Sequence, residues 1–262
     1  MHNLLLTGKE GVLMGARIEA IFFDVGNTLR ILTENESHQF KAKQKIAEIL
    51  AIQEDPVLFC KKLDLRYKEY RKWAFEQLTE ASEEELWKRW LAPERSQILN
   101  VANAVELTYQ YRQSMGLRVM VPAGKEVVIE LHKRGYILGL ISNVITSQEI
   151  PNWLEEDGLA TYFKAVALSS VSGIRKPDPR LYLIAAEQAG VEPKNCVYIG
   201  DNLNRDVSGT RQAGFGMVII VEDKREQAVG AITAQNKPDM LIAEFAQLLD
   251  IFPQFPQVNI IN

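Results

Sequence analysis

The stretch Ile18-Glu19-Ala20-Ile21-Phe22-Phe23-Asp24-Val25-Gly26-Asn27-Thr28-Leu29 decides how the chain is read. An apolar run ends on a single carboxylate, Asp24, and a short polar Gly-Asn-Thr follows. This is the pattern of a buried parallel strand that reaches its carboxyl end, where the chain turns outward. Open α/β sheets bind their ligands at that edge. A carboxylate placed there can attack an electrophile or hold a cation, provided that other parts of the chain bring counter-charge and more oxygen ligands.

Downstream of Thr28 the character of the sequence changes. Residues 34–115 show no strand alternation and almost no glycine, which reads as helix. A first helix is expected over 37–52. Asp55-Pro56 reads as an N-cap followed by proline at the first helical position, opening a helix to about Leu78. Ser82-Glu83-Glu84-Glu85 reads as a capping box, and Pro93 as the start of a further helix ending near Gly116. So long a helical stretch after one strand is a cap and not an ordinary crossover. Trp73, Phe75, Trp87, Trp90, Tyr67 and Tyr70 fall on these helices at spacings that favour the cap's own core over a sticky outer surface.

From Pro122 onward helices and strands alternate: helix 125–134 stopped by Gly135, strand 137–141, helix 147–156, strand 165–168, helix 180–189, strand 197–199, helix 206–212, and strands 217–221 and 239–242. That alternation predicts an α/β fold, a Rossmann-like doubly wound parallel sheet with right-handed crossovers and an inserted α-helical cap. The expected division is a discontinuous core at 17–33 and 116–250, a cap at 34–115, an N-terminal arm at 1–16 and an extended C-terminal tail at 251–262 that packs over the core.

With 262 residues, 47% of them hydrophobic, the chain can bury a large core. Its net charge of −4 supplies no cationic field for nucleic acid and favours small-molecule chemistry. Cys60 and Cys196 stand far apart and without metal-ligand spacing, which argues against a disulfide framework or a zinc site and fits a reducing cytoplasm. No apolar run approaches the roughly 18 residues that span a bilayer, and Leu4–Leu6 is too short for a secretory segment, so no membrane partner is expected. Monomer and homodimer both remain open.

Four polar clusters stand at strand ends or before a helix: Asp24 to Thr28, Ser142-Asn143, Lys176 within Arg-Lys-Pro-Asp-Pro, and Asp201 with Asp206. Three carboxylates brought together would repel one another, and a hard cation relieves this while taking oxygen ligands. Singly, each cluster has a plainer explanation. Asp201 and Asp206 suit a helix N-terminus, Lys176 an exposed loop, and Ser142 the end of a strand.

In this order the four clusters resemble the motifs of the haloacid dehalogenase superfamily, mostly magnesium-dependent phosphohydrolases, and the resemblance runs from about residue 18 to 221. The helical insertion after the first motif is similar to the small α-helical cap of that superfamily's first subclass. The resemblance implies that Asp24 is a nucleophile forming an aspartyl-phosphate with a small phosphorylated metabolite. It also implies Mg²⁺ held by Asp24, the Gly26 carbonyl, Asp201 and Asp206. Lys176, Ser142 and the Asn143 backbone amide would contact the phosphoryl group, and Thr28 would fix the loop through its hydroxyl.

One position departs from the pattern. Phosphatases of the superfamily usually carry a second aspartate two residues after the nucleophile as general acid and base, and this chain has Gly26 there. Loss of such a group typically costs about 10²- to 10⁴-fold in rate. Three explanations are open: an acid/base supplied from elsewhere or a leaving group that needs none; a phosphonate- or halo-acid-type hydrolase, the former requiring a cap lysine such as Lys61 or Lys62; or a catalytically weakened protein that binds a phosphorylated ligand or a partner.

Overall fold

The computed structural model describes residues 17–222 and 232–254. Six parallel strands form one sheet in the order β5-β4-β1-β6-β7-β8: β1 is Ala20–Phe23, β4 Ile137–Ser142, β5 Phe163–Leu168, β6 Cys196–Gly200, β7 Met217–Val221 and β8 Met240–Ile242. β1 lies between β4 and β6, with Phe23 level with Leu140 on one side and Ile199 on the other. Asp24, one residue beyond β1, is therefore brought beside the ends of both neighbours, at Ser142-Asn143 and Gly200-Asp201. Register alone gathers three of the four sequence clusters at one sheet edge.

Alternate residues of the central strands feed two buried layers. Ile21, Phe23, Leu138, Leu140, Val197 and Ile199 pack on one face with Val127, Val128 and Leu131 of the Gly124–Lys133 helix. Ala20, Phe22, Ile141, Tyr198 and Val218 pack on the other with Leu181, Tyr182 and Ala185 of the Pro179–Ala189 helix. Burial on both faces is why these strands read as continuous apolar runs. The α/β expectation holds.

Between β1 and the rest of the sheet, the helices Glu36–Ile49, Pro56–Gln77 and Val101–Ser114 build a third cluster around Ile46, Leu63, Tyr70, Trp87, Leu107 and Tyr111. The Asp55 carboxylate accepts from the Val57 and Leu58 amides (2.7 and 3.1 Å) and starts the 22-residue Pro56–Gln77 helix. Trp87 is fully buried and donates from its indole to the Thr108 hydroxyl (2.9 Å). The aromatic residues thus form internal packing, except Phe75, which is exposed.

Several local expectations are corrected. The segment expected to be one helix from Pro93 breaks after Ile98, because Asn100 and Asn103 form a reciprocal capping box that starts a new helix at Val101. Ser82 caps only a short turn, which continues as a wider coil over Leu86–Leu91. An antiparallel ribbon of β2 (Arg30–Thr33) and β3 (Leu117–Met120) joins the helices to the sheet, and no strand pattern marks it in the sequence. Residues so far apart in the chain leave no local pairing signal.

Cys60 and Cys196 are buried free thiols in different layers. No helix among the described residues is long and apolar enough to cross a membrane. The expected arm at 1–16 and most of the tail, 255–262, lie outside the described residues. Phe252, at the start of the tail, is buried against Tyr136 with ring centroids 5.6 Å apart.

Gly139 on β4 marks a tight contact between neighbouring strands, since a Cβ there would stand 2.5 Å from ring carbons of Phe22, itself packed on Phe215 at 5.5 Å. Gly139→Ala should cost about 1–3 kcal/mol, read as a lower urea midpoint at unchanged slope. An unshifted midpoint would show slack between β1 and β4.

Candidate active site

At the carboxyl edge of the sheet Asp24, Asp201 and Asp206 each place a carboxylate oxygen within 4.8 Å of the others. Two cations hold them together. The buried Lys176 ammonium lies 3.0 Å from Asp24 Oδ2 and 3.4 Å from Asp206 Oδ1. The Arg205 guanidinium donates to Asp24 Oδ2 (2.8 Å), Asp201 Oδ1 (3.0 Å) and both oxygens of Asp206 (2.8 and 3.0 Å). Arg205 thus sits among the three acids, where a cation is called for.

Each of these groups is held by identifiable neighbours. Asn143 clamps the Lys176 backbone: its side-chain oxygen accepts from the Lys176 N–H (2.8 Å) and its amide nitrogen donates to the Lys176 carbonyl (3.0 Å). The Lys176 ammonium also donates to the Tyr198 hydroxyl (2.5 Å) and the Ile141 carbonyl (3.1 Å). Asp206 packs so closely on the strand end that a Cβ at Gly200 would fall 2.4 Å from its Oδ2. Asn202, not Asp201, caps the following turn by accepting from the Arg205 amide (2.8 Å). The capping explanation for Asp201 therefore gives way.

A further tie crosses from the helices to this edge. Buried Glu80 accepts from Tyr70, from Arg175 beside Lys176, and from the Ser169 hydroxyl (2.6 Å), which in turn accepts from the Val144 amide (2.9 Å) just after Ser142-Asn143. One carboxylate thereby links two of the loops that carry site residues to the Pro56–Gln77 helix.

Gly26, Ser142 and Asn143 line a cavity of about 520 Å³ together with Asp24, Asp201 and Arg205. Thr28 does not line it. Its hydroxyl is buried with no hydrogen-bond partner among the described residues, so the expectation that it fixes the loop is corrected. The loop is closed by backbone instead, with the Arg30 and Leu29 amides donating to the Val25 carbonyl (2.8 and 3.0 Å) and Asn27 in the left-handed region (φ 57°). Lys61 and Lys62 are exposed and outside the cavity, Lys62 being paired with Glu54 at 2.7 Å; the lysine that lines the cavity is Lys68. An imine role for Lys61 or Lys62 has no support from this geometry.

Three carboxylates, two buried and Asp201 half-buried, face two cations, leaving one negative charge uncompensated. Burial, then repulsion from Asp24, pushes the Asp201 carboxyl up to about 7. Asp206 responds the other way: although burial opposes ionisation, Arg205 and Lys176 hold its carboxyl below the ordinary carboxylate range. A divalent cation in place of Arg205, with Lys176 retained, balances the three acids. The all-oxygen donor set suits a hard ion. Arg205 and Tyr198 are the site residues that sequence reasoning missed. The available signals were an arginine between two aspartates and a hydroxyl within an apolar strand.

Residues 18–214 match the family model for haloacid dehalogenase-like hydrolases. Among curated relatives, the glyceraldehyde 3-phosphate phosphatase of Methanopyrus kandleri is 30% identical over 126 residues, 47% of this chain and 52% of the relative. The phosphoglycolate phosphatase of Vibrio vulnificus is 30% identical over 164 residues, 61% of this chain and 68% of the relative. The chain therefore spans about half to two thirds of the length of these relatives. Among solved structures, the HAD-hydrolase YfnB from Bacillus subtilis, bound to magnesium, superposes with a TM-score of 0.59 at 19% identity, covering 90% of this chain and 98% of that one. That likeness shows the fold.

In chelator-treated protein, Asp201→Asn should raise the melting temperature. The folded state binds the Asp201 proton more tightly than the unfolded one, so wild type loses stability as pH climbs from about 4 to about 7. The variant's advantage should grow across that window and level off above it. An advantage independent of pH would contradict an uncompensated charge on Asp201.

Proposed function

The chain belongs to the haloacid dehalogenase-like hydrolases, and from that premise we propose that it is a Mg²⁺-dependent phosphatase of small phosphorylated metabolites. The observation that carries this reading is the meeting of Asp24, Asp201, Asp206 and Lys176 at one sheet edge, where Asp24 and Asp201 line a cavity. An Asp24 carboxylate oxygen attacks phosphorus, the ester P–O bond breaks, and its electron pair leaves on the alcohol oxygen. Water then attacks the aspartyl-phosphate, the P–O bond to Asp24 breaks, and inorganic phosphate departs with the carboxylate restored.

Lys176 serves as a fixed positive charge 3.0 Å from Asp24, positioned by the Asn143 clamp and Tyr198. Ser142, on the cavity wall, donates to the phosphoryl oxygens. Asp24, Asp201, Asp206 and the Gly26 carbonyl would hold Mg²⁺, which when bound neutralises the acids and the phosphoryl oxygens. The helices over residues 34–115 act as the cap that excludes water and selects substrate. With Gly26 in place of an acid, the leaving oxygen takes its proton from solvent, which favours esters with acidic alcohols and slows the rest.

A second reading is favoured by one observation: Arg205 supplies positive charge among the acids without an ion. The same carboxylate could then displace halide from a halo acid and be freed by hydrolysis of the resulting ester. Chelation separates the two readings.

With Mg²⁺ and a panel of phosphate monoesters, wild type should show turnover that EDTA and Asp24→Asn each abolish; turnover unaffected by either defeats the proposal, and chelator-resistant release of halide supports the second reading. Nothing lies within 4 Å of a Cβ built on Gly26, so Gly26→Asp has room to restore an acid. It should raise turnover by about tenfold or more, and an unchanged rate would show that proton transfer does not limit. Arg205→Ala, which vacates the space between the acids, should tighten Mg²⁺ binding by about tenfold in calorimetric titration. Weaker binding would mean that Arg205 organises the ligands instead of competing for their place.

A further inference from the structure

The cavity carries more positive charge than phosphoryl transfer at Asp24 uses. Away from the acidic edge its wall is formed by Lys68 and Arg71 of the Pro56–Gln77 helix, Arg112 at the end of the Val101–Ser114 helix, Arg118 on β3, and Arg175. Arg112 and Arg118 share one fully buried carboxylate, Glu149, at 2.8 and 3.4 Å. Arg175 is paired with Glu80. Lys68 and Arg71 are exposed and make no ion pair among the described residues. The remaining wall acid, Asp64, accepts a hydrogen bond from Tyr111 (3.0 Å). Arg30 also lines the cavity but is paired with Asp157, so the other five cations face Glu149, Glu80 and Asp64, leaving an excess of two positive charges.

The shared pair is itself short of negative charge. Burial, and then the neighbouring Arg112, bring the Arg118 guanidinium down to about 10. The same cavity is also lined by apolar Met115, Ile150 and Trp153, which suits a carbon spacer. A phosphoryl site at Asp24, apolar lining and a cationic wall in one cavity suit a ligand with two anionic ends.

We propose that this cationic wall is a second anion subsite, and that the substrate is a phosphate ester carrying another anionic group, a carboxylate or a second phosphate, met by Lys68, Arg71 and the Arg112–Arg118 pair. This rests on the phosphatase reading for what happens at Asp24, but binding at the wall does not require turnover. Guanidinium groups suit either anion through paired N–H donors. Lys68 and Arg71 are specificity residues for the remote group and stand apart from the acids.

The test is equilibrium binding to Mg²⁺-loaded Asp24→Asn protein by calorimetry, using matched probes. 3-Phosphoglycerate against glycerol 3-phosphate reads the carboxylate, and fructose 1,6-bisphosphate against fructose 6-phosphate reads the second phosphate. In at least one pair the doubly anionic member should bind about tenfold tighter or more, and the pair that responds identifies the anion. Lys68→Ala/Arg71→Ala, both solvent-exposed positions where folding is preserved, should bring that ratio down toward one, and Arg71→Lys should restore part of it. Equal affinity within both pairs, or a preference unmoved by the double variant, overturns the proposal. Absence of turnover in the wild type alongside a preserved binding ratio would defeat the phosphatase reading and leave the subsite standing.

Discussion

Carboxylates in a buried pocket repel one another more strongly than they would in water, so Asp24, Asp201 and Asp206 can share one edge of the sheet only if positive charge is built in beside them. Much of the local architecture meets that requirement. Lys176 is buried against two of the acids and Arg205 reaches all three. The parallel register of β1 with β4 and β6 brings the strand ends level, and Gly200 leaves the space that Asp206 fills. Remove the counter-charge and the same register would concentrate repulsion at the centre of the sheet.

On the proposed reading, the residual imbalance is what a small hard dication at this edge would relieve. Lys176 and Arg205 neutralise two of three charges, and Asp201 registers the deficit in its raised carboxyl. Arg205 acts as a tethered substitute whose departure costs several hydrogen bonds. The apparent affinity for an ion is therefore a difference between two cationic arrangements, not the affinity of an empty acidic cup.

The strand ends and their acids are legible because a buried parallel strand writes a continuous apolar run that stops where the chain turns polar. β1, β4 and β6 all do so, and the α/β sheet follows from their alternation with helices. The β2–β3 ribbon is hidden because Arg30 pairs with Met120, a contact without a local signature. Asn143 reads as a source of a backbone amide, whereas its side chain clamps Lys176. Arg205 looks like any loop arginine until Asn202 caps the turn that aims it inward. Thr28 misleads for the opposite reason: its motif suggests a hydroxyl tie that backbone hydrogen bonds make unnecessary. Glu80 shows the same limit on a larger scale, since one residue between helices joins loops more than sixty residues further on.

Gly26 and the cationic wall bear on the same question from two sides. At Gly26 the chain offers no acid, only space; at Lys68 and Arg71 it offers charge that the chemistry at Asp24 does not consume. The most direct measurement of the central claim is a crystal structure of the protein grown with Mg²⁺ and beryllium fluoride, a mimic of a phosphoryl group on a carboxylate. The expected result is beryllofluoride bonded to Asp24, the ion shared with Asp201 and Asp206, Lys176 still against Asp24, and Arg205 withdrawn from among the acids. Beryllofluoride absent from Asp24, or Arg205 still bridging the three carboxylates with the ion elsewhere, would contradict it.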